Sequence, residues 1–396
     1  MNSFKRISTG WDCVLLMGSL IGTNFNVAPG IYWADFFCAV LGMICICRLG
    51  LKKWKGDLVS NLTLGYIGFL AVSSLINQTY GHTQFQNYFR IFLCGWIVYV
   101  FLRNSLHTND DIRMFSIMFI LYSIFFLMYS RTSLLKAMSE VNNNFNLLDF
   151  GYGRNNWGFT NLLHIIFLSF ILYKVKLSNF MKILAYCQYP FLAFNIYFSA
   201  SRFSLITLVV FIAFFIMWMK KKLSFKGVIA LAILALIFPV VISNLESSIG
   251  MDYIEDSNFV LESKMDRTED EAMSLRLYGL NFDLIEKYIE NPRTDLSGLI
   301  IGDGLSITHG IFSHTFIVTG ILGFTYFILY NLYLIIYYLR EKSVGVFVAA
   351  VIIIMFFNDF VTNARFIIYV NNLLYMIILA FLVTYQINNE KDSIPS

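Results

Sequence analysis

Apolar windows of about 18–24 residues recur along nearly the whole chain, separated by short polar breaks. An α-helix rises about 1.5 Å per residue, so roughly 20 residues cross a hydrocarbon layer of about 30 Å. Inside that layer every backbone N–H and C=O must be bonded within the protein, which a helix does by itself. The windows fall near 11–28, 31–48, 58–77, 85–103, 112–130, 157–175, 180–200, 203–219, 227–244, 315–339, 343–360 and 364–385. The expectation is an all-α polytopic membrane protein with about 12 transmembrane helices. It forms a single membrane domain over 1–396, with no soluble domain at either end and no internal repeat.

Composition agrees. The chain is 58% hydrophobic and 14% charged, against roughly 45–50% and about 25% for soluble domains. It opens MNSFKR and turns apolar at Trp11 without a small-residue cleavage site. A first spanning helix is therefore expected, and no removed signal peptide. Cys13, Cys38, Cys45, Cys47, Cys94 and Cys187 all lie in apolar runs with no CxxC spacing, so neither a metal site nor a disulfide framework is expected.

Charge gives the orientation. Lysine and arginine in short loops mark the cytoplasmic side. One side collects Lys5, Arg48, Lys52, Lys174, Lys220 and their neighbours, and both termini belong to it. On this topology 13 of the 16 lysines are inside, but 8 of the 13 arginines are outside. The eight are Arg90, Arg131, Arg154, Arg202, Arg267, Arg276, Arg293 and Arg365. A guanidinium grips phosphate with two parallel bonds, which an ammonium cannot do. The external arginines therefore point to an anion near the outer leaflet. The plainer reading of any one of them is an interfacial side chain reaching for headgroups.

The longest connection, about 245–310, is expected outside, between the ninth and tenth spans. It holds over half of the acidic residues. Thr268-x-x-Glu271 is a capping-box pattern and Asn291-Pro292 a stop. Between them Met273, Leu277, Leu280, Leu284 and Tyr288 recur at helical spacing, predicting an amphipathic helix on the membrane-embedded part. Gly302-Asp303-Gly304 then reads as a tight turn. His309 and His314 follow, His314 in the first turn of the next span. Histidine is the commonest acid–base group, but at a helix mouth it is more often an interfacial residue. Gly320 and Gly323 are expected to admit a neighbouring helix.

Two further external mouths are polar. "GYGRNNWGFTNLLH" brings Arg154 to the sixth span, with Asn161 and His164 inside it. "FNDFVTNARFIIYVNN" brings Asp359, Asn363 and Arg365 to the last, followed by Tyr369 and Asn372. Buried amides either glue helices together or line a sugar cleft. There is no P-loop, no GxGxxG after a strand, no zinc spacing and no GxSxG. Asp110-Asp111 lies in a short cytoplasmic loop. These absences argue against a transferase using soluble nucleotide sugars, and no nucleic-acid partner is expected.

"SASRFSLI" at a helix start, "SLRLYGLNFDLIEKYIENP" followed by "GDG", "SHTFIVTGILGF" and the late "NARF" stand in a set order over the C-terminal half. In that order and spacing the chain resembles the O-antigen polymerase and O-antigen ligase superfamily. These are bacterial inner-membrane glycosyltransferases with one large periplasmic loop. The first half resembles the family in hydropathy and in "GYGRNN" alone. The family often places Asn after the loop histidine, whereas Thr315 follows His314, so His309 stays as the alternative. The resemblance implies an undecaprenyl-pyrophosphate-linked oligosaccharide as donor, membrane lipids around it, and a chain-length regulator and a flippase as candidate partners. It implies a catalytic set of His314, Arg202 and Arg276. Substrate contacts would come from Arg154, Arg365, His309, Asp303, Asn161 and Asp359, with no cofactor. Polymerase is favoured over ligase, and a flippase for the same lipid is a more distant reading.

Overall fold

The computed structural model describes residues 2–28, 31–49, 57–79, 83–139, 154–198, 202–220, 300, 311–341, 344–361 and 369–392. Its elements are α1 (Asn2–Gly22), the short strands β1 (Asn26–Ala28) and β2 (Ile31–Tyr32), then α2 (Trp33–Leu49), α3 (Leu58–Ile76) and α4 (Thr83–Ser105). They continue with α5 (Asn109–Ser139), α6 (Arg154–Lys174), α7 (Asn179–Tyr186), α8 (Gln188–Phe198) and α9 (Arg202–Met219). Last come α10 (Ile311–Arg340), α11 (Val344–Val361) and α12 (Tyr369–Asp392). The chain is a helical membrane protein. Among the described residues five helices are long and apolar enough to cross a bilayer, and four shorter apolar stretches lie in α1, α2, α9 and α11. The windows expected at 227–244 and the loop at 245–310 fall outside the described residues, apart from residue 300.

α1 starts nine residues before its expected window and α5 runs nine residues past its own, and two further details depart from the expected spans. The first two helices are joined by an antiparallel strand pair, with Asn26 opposite Tyr32. The window at 180–200 is two helices, broken at Cys187 just before Pro190. Pro190 has no N–H to offer the carbonyl four residues back, that of Tyr186, and its ring crowds that carbonyl, so the ladder ends there. Helix starts follow local chemistry. Asp57 caps α3 by accepting from the Ser60 N–H at 2.9 Å. Thr108 and Asp111 exchange bonds at the start of α5, a capping box with aspartate in place of glutamate.

α6 and α12 form the centre. In their apolar windows 83% and 89% of residues are buried, against 44% in α3 and 39% in α10. α12 runs parallel to both α4 and α6. Asn372 donates to the Ile91 carbonyl at 2.8 Å, and Arg103 Nη1 to Thr384 Oγ1 at 3.1 Å. On the other side Thr160 donates to Asn371, and Tyr385 to the Lys174 carbonyl at 3.0 Å. The seam with α4 is tight because Gly95 has no side chain. A Cβ there would collide with the Asn372 amide.

Other contacts fix the remaining directions. α3 opposes α4, since Trp96 Nε1 donates to the Ser60 carbonyl at 3.1 Å while Tyr66 meets Phe92. α10 opposes α3 through Ser73 Oγ to the Val318 carbonyl (2.7 Å) and Tyr326 Oη to the Leu62 carbonyl (2.9 Å). α8 opposes α6 through Asn195 with Asn161 and Tyr189 with Ser169. Trp218 of α9 packs on Phe170 of α6 and on Phe347 of α11. One end of the bundle therefore collects the starts of α2, α4, α6, α9, α10 and α12. The opposite end carries the start of α3 at Asp57.

The glycines of α10 behave differently from the expectation. Gly320 has φ 63° and ψ −170°, a break inside the helix, which an L-residue rarely adopts. A side chain at Gly323 would first meet Thr319 of its own helix. Among the described residues, close approaches between helices occur instead at Gly95, at Gly65 against Tyr326, and at Gly22 against the start of α2.

Candidate functional site

Arg154 is the first residue of α6 and Arg202 the first of α9. His314 is in the first turn of α10, and Asp359 in the last turn of α11. All four backbone positions belong to the end where α2, α4, α6, α9, α10 and α12 begin. Unbonded N–H groups and aligned peptide dipoles make helix starts partly positive. Several starts at one end, two of them headed by arginine, therefore favour an anion there. Arg276, Asp303, His309 and Arg365 lie outside the described residues. Asn363 lies there too.

Asn161 is described in full. It is completely buried, two turns into α6. Its Nδ2 donates to the Trp157 carbonyl at 2.8 Å and its Oδ1 accepts from Asn195 Nδ2 at 3.0 Å. Of the two roles open to a buried amide, the geometry is that of helix glue between α6 and α8. Tyr369 and Asn372, noted at the last span for their spacing, also bond to other helices.

Tyr369 leads to a cluster that the sequence reading did not assemble. Asp35 Oδ1 accepts from the Tyr369 hydroxyl at 2.7 Å. Its Oδ2 accepts from the Tyr32 backbone N–H at 2.8 Å and from Arg90 Nη1 at 3.2 Å. Arg90 also donates to Asn87 Oδ1 at 2.9 Å. Its guanidinium lies 5.3 Å from the Tyr32 ring centre and 5.5 Å from that of Tyr369. Cation–π contact adds to the ion pair here. The cluster ties α2, α4 and α12 together at the same end as Arg154 and Arg202. The charge of Arg90 is thus met by a carboxylate. The missed signal was Asp35 itself, an acid at the head of an apolar span.

The opposite end repeats the device. Arg103 Nε donates to Asp57 Oδ2 at 2.9 Å, Tyr99 Oη donates to the same oxygen at 2.7 Å, and Arg103 reaches Thr384 of α12. Both ion pairs are partly buried, with side chains 18–24% exposed. Charged hydrogen bonds of this kind contribute about 1.5–3 kcal/mol each.

No family model, curated protein or solved structure matches the chain. What fold and geometry define is a helical membrane protein whose helix starts gather basic residues at one end. Among the described residues no group of three or more His, Cys, Asp or Glu side chains is arranged to hold a metal ion.

Proposed function

We propose that the chain is an O-antigen polymerase, joining undecaprenyl-pyrophosphate-linked oligosaccharide repeat units at the periplasmic face of a bacterial inner membrane. The observation that carries this reading is the common location of the helix ends bearing Arg154, Arg202, His314 and Asp359. A lipid-linked pyrophosphate sits at membrane-surface depth, where those ends would meet it. Lys174 ends α6, Lys176 follows it, Lys182 is in the first turn of α7 and Lys220 follows α9, all at the Asp57 end. The lysines mark that end as the cytoplasmic one in this reading, and Arg154 and Arg202 stand opposite against the insertion rule. α9 ends at the Asp57 end and α10 begins at the other, which accords with one more crossing between them and with twelve spans in all.

In this reading Arg154, Arg202, Arg276 and Arg365 hold the pyrophosphate. A hydroxyl of the acceptor glycan attacks the anomeric carbon of the donor. The carbon–oxygen bond to the pyrophosphate breaks, and the leaving oxygen takes the electron pair beside the arginines. His314 accepts the hydroxyl proton, with His309 as the alternative base. Fixed cations aimed at developing negative charge are often the largest single catalytic contribution. Asp303 and Asp359 contact sugar hydroxyls.

The test is the lipopolysaccharide ladder of a strain lacking the chain. A single repeat attached to lipid A–core is the expected result. Long lipid-linked polymer left unattached would assign the ligase reaction instead, and an unchanged ladder would overturn both.

A further inference from the structure

His164 is fully buried in α6, ten residues from the start of that helix. That is about 15 Å along the axis, or half of a hydrocarbon layer of about 30 Å. Its Nδ1 lies 2.8 Å from the Thr160 carbonyl. A carbonyl can only accept, so Nδ1 carries the hydrogen. In the neutral ring Nε2 is then a bare acceptor. Among the described residues it has no hydrogen-bond partner.

Three aromatic rings of α5 surround this imidazole. Phe126 stacks on it with centroids 4.4 Å apart, and Phe119 and Tyr122 follow at 5.6 and 5.7 Å. The Tyr122 hydroxyl is also buried and also unpartnered, as is Ser123 Oγ on the next residue. An acceptor and a donor therefore share one ring cluster, and neither has a group to bond among the described residues. One face of α6 continues the pattern outward: Trp157, Asn161 and His164 are spaced i, i+4, i+7. Trp157 Nε1, two turns nearer the Asp35 end, is buried and unpartnered too.

Buried polar groups in native proteins nearly always bond to protein or to ordered water. Internal waters occur where two or more polar groups converge. We infer that one or more waters are bound between α5 and α6 at membrane depth, accepting from Tyr122 and donating to His164 Nε2. Water is the occupant because the site lies too deep for a headgroup or a sugar and is walled by aromatic rings. The Trp157 face supplies the polar route from the Asp35 end. This site is independent of the glycosyl-transfer reading and stands or falls without it.

Two measurements on the full-length protein in detergent or lipid test it. The first is the nitrogen NMR spectrum of histidine-labelled protein, with the His164 signals assigned by their loss in His164→Phe. The Nε2 resonance of the unaltered protein should sit at the position of a nitrogen that accepts a hydrogen bond, and should move in Tyr122→Phe. The second is the melting midpoint of His164→Phe, Tyr122→Phe and the double variant. Each single change should lower it by roughly 2 °C or more, and the double should be no worse than the poorer single. A dry ring cage gives the opposite: a resonance at the bare-nitrogen position, unmoved in Tyr122→Phe, and a midpoint unchanged or raised in Tyr122→Phe. Should overpacking by the larger ring lower the midpoint of His164→Phe, the resonance in the unaltered protein decides.

Discussion

Arg202 heads α9, at the end that the proposed function places outside, where a positive charge works against the insertion rule. If it only reaches for headgroups, lysine should replace it fully, since both side chains are long enough. A planar fork on a pyrophosphate is different, because lysine brings the charge without the paired geometry. Arg202→Ala is expected to lower turnover roughly 10- to 100-fold, the cost of one charge-assisted bond, and Arg202→Lys to recover only part of it. Lys221→Ala, in the basic run expected on the cytoplasmic side, should leave turnover unchanged. The readout is polymer length at matched membrane levels, then turnover on purified lipid-linked repeat units. Full activity of both Arg202 variants would make it an interfacial anchor. His314→Ala should shorten the polymer greatly with the protein still in the membrane. A normal ladder in that variant would pass the role of base to His309.

At the scale of elements, α4 and α12 form a parallel pair tied at both ends. Arg90 and Arg103 each bind an aspartate that begins a neighbouring helix, and each cluster includes a hydroxyl of α12. Between the ties the two helices touch at Gly95. Gly95→Leu should displace Asn372, break its bond to the Ile91 carbonyl and cost about 1–3 kcal/mol as an overpacked contact. Thermal unfolding in detergent checks this, and an unchanged midpoint would mean that α12 can move away freely. Asp57→Ala should be costly as well, because it removes the α3 cap, worth about 1 kcal/mol, and leaves Arg103 without its carboxylate. The helices themselves were legible from apolar window length, and most described ends fall within a few residues of expectation, but α1 begins nine residues early, α5 ends nine residues late and α12 runs seven residues past its window. Three things were not legible. The strand pair at Asn26–Tyr32 is too short to carry a periodic signal. The break at Cys187 does not show in hydropathy because both halves are apolar, and Pro190 was its local signal. The pairing of Asp35 with Arg90 joins residues 55 positions apart, and hydropathy contains nothing about which helix lies beside which.

Across the whole molecule, the alternation of helix directions places the two candidate faces. The candidate site was partly legible in the same way. The lysine–arginine split drew attention to Arg154 and Arg202, and the helix directions bring their positions to one end. The residue type of Asn161 does not distinguish a cleft from helix glue. A reporter fused after Lys222 should read cytoplasmic and one at Ser263 periplasmic. The same side for both would remove the external arginine set altogether. The most direct measurement is reconstitution of the purified chain in lipid vesicles with undecaprenyl-pyrophosphate-linked repeat units as the sole glycan. The prediction is a ladder of lipid-linked products differing by whole repeats, with free undecaprenyl pyrophosphate released for each bond formed. Repeat units left unextended by an intact, correctly inserted protein would contradict the polymerase account.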